Sequence, residues 1–364
     1  MKGDHTMRRP ATVLAVLILA GCNGSSGGAD PSGSPGTGSP AGPPAELVVM
    51  THDSFSLPDE LISDFENEQG ATLRILRSGD AGAMVNQAIL SRDAPLADVL
   101  FGVDSTFLSR ALEADIFLPY GSPELEAVPA DFQVDERQRV TPIDHGEVCL
   151  NIDRERFAAG DPPAPESLED LTLPEYRGML VVQDPASSSV GLAFLLATVA
   201  RFGEDGWRDY WAQLRENDVL VTDGWEDAYY GRFSGGAGEG DRPVVVSYAS
   251  SPAAEVVFAE SPVTESPTAV VLDGCYRQVE FAGILLGTDE GELAERFIDH
   301  LLSRPVQESI PLEMFVYPVR EDAVLPDAFL DHAQVVEDPL ELPTDEVEAN
   351  RQRWIAEWTE TVLR

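Results

Sequence analysis

Two aromatic residues lie at the ends of predicted strands in the second half of the sequence. Trp225 follows the apolar stretch 219–222 inside the polar segment 223–226, and Tyr248 ends the apolar stretch 243–248. Ligands of open α/β sheets bind beyond the carboxyl ends of strands, so both rings are expected to line a binding site. Their faces would stack on a planar or cationic ligand. Core packing is the alternative for Trp225, but its polar neighbours argue against it.

Carboxylates and hydroxyls occupy comparable positions. Asp53 and Asp80 each follow a predicted strand, at 46–51 and 72–76, and would face a ligand there. Asp80 also begins a predicted helix, so an N-capping role is the alternative. Ser188 is the central residue of three serines that precede the apolar stretch 192–199. Such a turn offers free N–H and hydroxyl groups to an anion or a polar oxygen, although plain N-capping explains the same pattern.

Alternating strands and helices are predicted to position these residues. The first set has strands at 46–51, 72–76 and 97–103 and helices at 58–70, 82–91 and 105–114, the last capped by Ser105. The second set has strands at 179–183, 219–222 and 243–248 and helices at 190–202 and 228–233. Each set predicts a parallel sheet covered by helices, and the strand-like segments 147–152 and 278–286 would join them. The predicted fold class is α/β with two hinged lobes, and a final helix is expected at 345–363.

The composition restricts the class of partner. The 364 residues include 24 Lys+Arg against 64 Asp+Glu, which gives a formal net charge of −40. This acidity excludes a surface for nucleic acid or a basic patch for anionic lipid, since both need clustered cations. A hydrophobic content of 43% is enough to build a core, so disorder is not indicated.

The first 45 residues indicate export and anchoring. Residues 1–21 combine a cationic start with a short apolar stretch, as in a secretory signal peptide. The sequence around Cys22 resembles a bacterial lipobox, which implies lipidation of Cys22 and a location on the outer face of the cell membrane. Residues 22–45 are rich in Gly, Ser and Pro and are expected to form a flexible tether.

The binding domain is then expected at 46–364. Its first lobe would comprise about 46–145 plus part of 280–364, and its second lobe about 150–275. Cys149 and Cys275 remain in this domain. Outside the cytoplasm they would either form a disulfide or stay separate buried thiols.

From about residue 47 onward, the sequence resembles the periplasmic thiamine-binding proteins of ABC transporters. The matching segments keep the family's order: THDSF (51–55), ADVLFGVD (97–104), QDPASSSVG (183–191), DGWEDAY (223–229), VSYASSPA (246–253), IPLEMFVYPV (310–319) and RQRWIAEW (351–358). The resemblance implies a type 2 periplasmic binding protein fold with the ligand enclosed between two lobes. It also implies a monomeric, non-enzymatic receptor that delivers thiamine to the permease subunits of an ABC importer, with no cofactor and no metal.

By the same resemblance, Asp80, Ser188, Gly191, Trp225 and Tyr248 take positions that contact the ligand. Thiamine carries a fixed thiazolium cation, an aminopyrimidine ring and an alcohol that can bear phosphate. Trp225 and Tyr248 would stack on the rings, where a desolvated cation–π contact contributes on the order of 1–2 kcal/mol. Asp80 would balance the cation together with Asp53, and Ser188 and Gly191 would hold the polar end.

Three positions depart from the family's pattern. His52 stands where related proteins have tyrosine, Phe315 replaces a tryptophan, and Ala254 replaces a stacking tyrosine. His52 and Phe315 can still assist the stacking, whereas Ala254 cannot. One wall of the aromatic site is therefore thinner, or another residue supplies its ring. A thiamine phosphate or a pyrimidine precursor remains an alternative to thiamine as the ligand.

Two other classes of function are weighed against this one. Proteins of the same fold bind ferric iron through adjacent tyrosines, and Tyr229 and Tyr230 form such a pair, with Tyr229 expected to face the cleft and Tyr230 to pack. A secreted hydrolase is the other alternative. The five histidines form no HExxH motif, and from residue 46 onward the sequence contains no GxSxG motif and no Cys/His zinc spacing.

Overall fold

The computed structural model describes residues 44–364 except 260 and 262. Pro43–Arg364 forms one compact unit. The predicted signal peptide, Cys22 and nearly all of the predicted tether lie outside the described residues, so these expectations stay predictions. The first strand begins at Ala45, the last residue assigned to the tether from the sequence.

The described residues contain ten strands in one mixed sheet. They are β1 Ala45–Thr51, β2 Ala71–Arg77, β3 Val99–Asp104, β4 Phe117–Leu118, β5 Thr141–Asp153, β6 Leu180–Gln183, β7 Leu220–Thr222, β8 Val244–Tyr248, β9 Thr268–Leu285 and β10 Tyr317–Pro318. The order along the sheet is β2-β1-β3-β9-β5-β8-β6-β7, with β4 paired to β9 and β10 paired to β5. The predicted α/β fold is confirmed.

The sheet has a parallel group at each end. We call β2-β1-β3 with its helices the first half and β8-β6-β7 with its helices the second half; within each, the strands are parallel. The long strands β5 and β9 run antiparallel to each other and to β8 and β3, respectively. These strands contain the predicted connections 147–152 and 278–286, and they form the middle of the sheet over 13 and 18 residues.

Ten α-helices cover the described part of the sheet. They are α1 Asp59–Gln69, α2 Ala81–Leu90, α3 Leu108–Glu113, α4 Arg154–Phe157, α5 Ser189–Glu216, α6 Ser251–Val257, α7 Gly291–Leu302, α8 Arg304–Glu313, α9 Asp327–His332 and α10 Thr344–Val362. Short 3₁₀ helices span Pro123–Ala127, Ala130–Phe132, Glu169–Thr172 and Pro174–Tyr176. None of the helices in this part of the chain is both long and apolar enough to cross a membrane.

The core lies between the sheet and its helices. All six residues of β3 are buried, as expected for a central strand covered on both faces. Four of the five tryptophans are fully buried, namely Trp207, Trp211, Trp354 and Trp358. Trp211 and Trp358 meet edge to face at 5.4 Å, so the terminal helix α10 packs on α5 of the second half. The same helix also contacts α3 of the first half, where Arg351 donates to the Thr106 carbonyl and to Ser109 Oγ.

The antiparallel pairing of β5 and β9 also brings the two cysteines of the domain together. Cys149 and Cys275 form a disulfide, with 4.4 Å between their Cα atoms and a sequence separation of 126. Of the two possibilities left open by the sequence, the structure has the bridge.

Three local predictions differ from the structure. Ser105 does not cap a helix, because its N–H donates to the Val279 carbonyl and its Oγ accepts from the Val279 N–H, which ties the end of β3 to β9. The helix predicted at 190–202 continues to Glu216 through a break at Gly203, whose φ is +70°. The helix predicted at 228–233 is a single wide π-helical turn, Asp227–Arg232.

Candidate functional site

A cleft of about 750 Å³ lies where strands of both halves end. The first half lines it with the β1–α1 loop (52–56) and the start of α2 (79–83). The second half contributes residues at the start of α5, the segment 223–230 after β7, and residues of 248–258 around α6. Glu280 of β9 and residues 313–316 complete the lining. Of the residues predicted from the sequence, the cleft brings together His52, Asp53, Asp80, Trp225, Tyr229, Tyr248 and Phe315.

Trp225 is the half-buried centre of one aromatic group. Its ring stacks on that of Tyr229, with centroids 5.0 Å apart and planes at 19°, and the edge of Tyr230 meets it at 5.5 Å. Its Nε1–H donates to Ser247 Oγ at 2.9 Å, which fixes the orientation of the ring. Trp225 is therefore held by a buried tyrosine and a hydrogen bond, and it is the one tryptophan that lines the cleft within the described residues.

A second aromatic group lies where the sequence suggested a gap. Ala254 lines the cleft without a ring, but Phe258, one helical turn further along, has 68% of its surface exposed at the same cleft. Phe258 meets Phe315 edge to face at 5.2 Å. Phe315 has φ +55°, a conformation that L residues rarely adopt, and its carbonyl accepts a hydrogen bond from Ser250. Phe258 thus supplies aromatic surface that Ala254 lacks.

Asp80 connects the two halves of the protein. Its Oδ1 accepts from the N–H of Ala81 at 2.7 Å, as the N-cap of α2, and from the N–H of Ser189 in α5 at 3.3 Å. Its Oδ2 accepts from the N–H of Trp225 at 3.0 Å. Burial raises the pKa of Asp80 above its ordinary value, and the hydrogen bonds from Trp225 and Ala81 offset only part of this rise. Asp80 therefore holds the starts of two helices and the Trp225 segment together across the cleft.

His52 occupies the position after β1 and reaches the floor of the cleft. Its Nε2 lies 3.4 Å from Glu280 Oε2. A Cβ at Gly102, where φ is +95°, would lie 2.3 Å from His52 Cδ2, so the glycine leaves room for the imidazole. Burial lowers the pKa of His52, but the carboxylates of Glu280, Asp80 and Asp104 outweigh it, and the net pKa lies above the ordinary value.

Three carboxylates stand side by side below the cleft. Asp104 of β3, Glu280 of β9 and Asp144 of β5 are direct register partners across three adjacent strands, and we call them the carboxylate row. Asp104 and Asp144 are at most 1% exposed, whereas Glu280 lines the cleft. Burial, with the neighbouring charge of Glu280, raises the pKa of Asp104 to about 6 and that of Asp144 well above its ordinary value.

Two predicted site residues do not line the cleft. Ser188 is fully buried as the N-cap of α5, and its Oγ accepts from the Gly191 N–H at 3.5 Å. Gly191 packs on β6, where a Cβ would lie 2.4 Å from the Gln183 carbonyl oxygen. Ser188 therefore acts as the helix cap, and the Gly191 N–H is the group that it caps. Ser187, Ser189 and Val190 line the cleft at this helix start instead.

Asp53 lines the cleft as predicted, but it is exposed, and its Oδ1 accepts from the Gly79 N–H at 3.1 Å. The backbone N–H of Asp53 also donates to the Gly79 carbonyl. Asp53 therefore helps to join the loops after β1 and β2.

The lining of the cleft is strongly acidic. It includes one arginine, Arg77, whose guanidinium donates to the carbonyls of Asp53 and Phe55. It also includes eight acidic residues, which are Asp53, Asp80, Asp223, Glu226, Asp227, Glu255, Glu280 and Glu313. This excess of negative charge favours a cationic ligand and disfavours an anionic one.

Sequence reasoning missed Glu280, Glu255 and Phe258. Glu280 lies in the apolar stretch 278–286, and a charged residue in a predicted buried strand is the signal that could have found it. Phe258 lies four residues after Ala254, on the same side of a helix, so the missing ring could have been sought one turn away. Glu255 contacts Tyr229 through the fold, and no sequence pattern indicates that contact.

Both tyrosines of the pair line the cleft, but Tyr230 is exposed rather than packed away. Tyr229 is 2% exposed and its hydroxyl donates to Glu255 Oε1 at 2.7 Å, whereas Tyr230 is 45% exposed. Burial and the charge of Glu255 raise the pKa of Tyr229 well above its ordinary value, which disfavours the phenolate that ferric iron requires. In the described part of the chain, no group of three or more His, Cys, Asp and Glu side chains is arranged to hold a metal ion.

Comparisons with known proteins identify relatives over most of the chain. The sequence profile of bacterial extracellular solute-binding proteins matches residues 94–335. The thiamine-binding periplasmic protein of Salmonella typhimurium is 30% identical over 323 residues, which cover 87% of this chain and 94% of that protein. A solved periplasmic thiamin binding protein superposes with a TM-score of 0.78 at 28% identity, covering 88% of this chain and 97% of its own.

A ferric binding protein from Campylobacter jejuni superposes with a TM-score of 0.68 over 86% of this chain and 99% of its own. At 16% identity, that likeness shows the fold alone. The profile match covers more than half of the chain, and the relatives are periplasmic binding proteins. The chain therefore belongs to the family of bacterial extracellular solute-binding proteins, and its role is to bind a solute for an ABC importer.

Proposed function

We propose that the solute is thiamine and that the protein captures it outside the cytoplasm for import. The observation that carries this proposal is the combination of an anchored aromatic face with an acidic cleft. Trp225 is held flat on Tyr229, and eight carboxylates line the same cleft. A flat aromatic cation such as thiamine gains from both features, because the ring faces stack on it and attract its charge.

The charge of the cleft also bears on the form of the ligand. A phosphate ester would place its negative charge among eight carboxylates and a single arginine. The N–H groups of Ala81, Ser189 and Trp225, which could otherwise attract an anion, already donate to Asp80. We therefore propose the unphosphorylated vitamin as the preferred ligand over its phosphates.

The proposed site residues divide into two roles. Trp225, Tyr248 and Phe315 contact the rings, with Phe258 in place of the ring that Ala254 lacks. Glu280 and Asp80 lie nearest the cation, with His52 between them and Asp53 at the edge. We further propose that the mature chain is monomeric, carries no cofactor and is held at the outer face of the cell membrane by lipidated Cys22.

Titration calorimetry tests this function directly. Thiamine, thiamine monophosphate and the hydroxymethylpyrimidine precursor would be titrated separately into the purified domain. The proposal predicts that thiamine binds most tightly and that the monophosphate binds about tenfold more weakly or worse. Absence of thiamine binding in ligand-free, correctly folded protein would refute the assignment.

The same purified protein also tests the two alternative functions, ferric-iron binding and hydrolysis. A purified protein with the absorbance of an iron–tyrosinate complex would establish ferric iron as the ligand. Hydrolysis of a thiamine phosphate ester at a rate proportional to protein concentration would establish an enzyme. Native mass spectrometry of protein purified from its host would identify a retained ligand by its mass.

A further inference from the structure

The carboxylate row below the cleft contains more negative charge than its surroundings neutralise. Asp104, Glu280 and Asp144 are register neighbours on three adjacent strands, so their side chains emerge on the same face of the sheet. The groups that face the row are His52, Asp80 and Tyr248, with the buried guanidinium of Arg351 near Asp104.

Asp144 has a particular deficit of partners. It is 1% exposed, and among the described residues neither of its carboxylate oxygens receives a hydrogen bond from a donor. A buried, ionised carboxylate without donors costs several kcal/mol, and a second carboxylate beside it adds to that cost. The pair is relieved when one proton lies between the two carboxyl groups, as in other close carboxyl pairs. Glu280 is the member of this pair that reaches the cleft.

From this geometry we infer that Glu280 is the residue that recognises the ligand's positive charge, and that the cation replaces a proton held by the neighbouring Asp144. This inference rests on the proposed function, because it needs a cationic ligand. In the empty cleft this proton neutralises Asp144 beside Glu280. A fixed cation beside Glu280 stabilises the fully ionised pair, so the proton leaves to solvent as the ligand enters.

The direction of the pH effect follows. A ligand whose binding releases a proton binds more tightly as pH rises. His52 acts in the same direction. Its pKa is raised in the empty site, and the positive charge of a ligand beside Glu280 would favour loss of the imidazolium proton. Burial raises the pKa of Asp104 to about 6 and that of Asp80 above its ordinary value, so both carboxyl groups gain negative charge as pH rises and act in the same direction.

Calorimetry of the unaltered protein provides the first test. Thiamine would be titrated at pH 6.5 in two buffers with different ionisation enthalpies, and the difference in apparent binding enthalpy would give the number of protons released. We expect release of between about half a proton and one proton, and affinity that rises about tenfold from pH 5.5 to 7.5. The neutral hydroxymethylpyrimidine, which lacks the thiazolium, should bind without release.

Single substitutions distinguish the role of Glu280 in binding from the role of Asp144 in the pH dependence. Glu280→Gln should weaken thiamine binding about tenfold or more at pH 7.5. Asp144→Asn should keep affinity at pH 7.5 within about threefold and remove most of the pH dependence, because the carboxyl group that holds the proton is then absent. Any release that persists in Asp144→Asn but disappears in Asp144→Asn/His52→Gln is assigned to His52.

A matched control comes from the same cleft. Glu226→Gln removes a lining carboxylate that is exposed, outside the row and without an assigned ligand contact, and it should leave the proton count unchanged. Tight thiamine binding with no proton release and a flat affinity between pH 5.5 and 7.5 would overturn this inference while leaving the proposed function intact. Absence of thiamine binding at every pH would overturn the proposed function instead. A melting curve for each variant distinguishes a lost fold from a lost contact.

Discussion

Trp225 provides the sharpest test of the binding site. Its ring is half-buried, stacked on Tyr229, and oriented by the hydrogen bond to Ser247. Replacement by alanine removes the stacking surface and the cation–π attraction together. A desolvated cation–π contact contributes about 2 kcal/mol and a stacked ring pair about 1 kcal/mol. The expected loss for Trp225→Ala is therefore about 2–3 kcal/mol, which corresponds to about 30- to 150-fold weaker binding of thiamine.

Trp225→Phe is the matched variant. Phenylalanine keeps an aromatic face but cannot donate to Ser247, so we expect about three- to tenfold weaker binding. Both variants lose packing on Tyr229, and the melting temperature should fall by only a few degrees in a domain of this size. Retention of nearly full affinity by Trp225→Ala, within about threefold, would refute the stacking role.

Fluorescence offers an independent readout of the same residue. The chain has five tryptophans, and the other four are fully buried in the core. A ligand that stacks on Trp225 should change the emission of that ring far more than that of the others. The ligand-induced signal should therefore disappear in Trp225→Phe even at saturating thiamine. A full signal in that variant would place the ligand elsewhere.

Three further predictions concern stability and the rim of the cleft. Burial raises the pKa of Asp104 from 3.8 to about 6, so ionisation of this carboxyl group destabilises the folded state as pH rises. In urea unfolding, Asp104→Asn should therefore be more stable than the parent protein by about 3 kcal/mol at pH 8. At pH 4 the variant should have no advantage. Phe258→Ala should weaken thiamine binding about threefold without changing the melting temperature, whereas Leu330→Ala, equally exposed outside the cleft, should change neither. Replacing Cys149 and Cys275 by serine should lower the free energy of unfolding by about 2–4 kcal/mol, and unchanged stability would argue that the bridge does not form.

The parts of the fold that local patterns determine were predictable. Short apolar runs rich in Val and Leu identified β1, β6 and β8 within one or two residues, because buried parallel strands have no polar face. The same patterns underestimated β5 and β9. Their polar residues, including Glu147 and Arg277, pair with each other across the ladder, and that compensation depends on register rather than on local sequence.

The lining of the cleft was predictable where a residue directly follows a strand, as with Trp225 and Asp80. It was not predictable where several distant segments meet. The carboxylate row joins residues 104, 144 and 280, and only the strand order makes them neighbours. Ser188 illustrates the opposite error, because a serine before a helix satisfies the backbone N–H groups of that helix whether or not a ligand is near.

The central position of β9 has a consequence for how the chain acquires its structure. Both β3 and β5 pair with β9, which begins at Thr268, more than 160 residues after β3 ends. A nascent chain that ends before Thr268 therefore lacks the strand that completes the sheet of its own N-terminal part. Pairings over such distances form slowly, so vectorial folding during synthesis is disfavoured. A chain of this design stays unfolded until nearly all of it is available, and limited proteolysis of the native protein should release no stably folded N-terminal fragment.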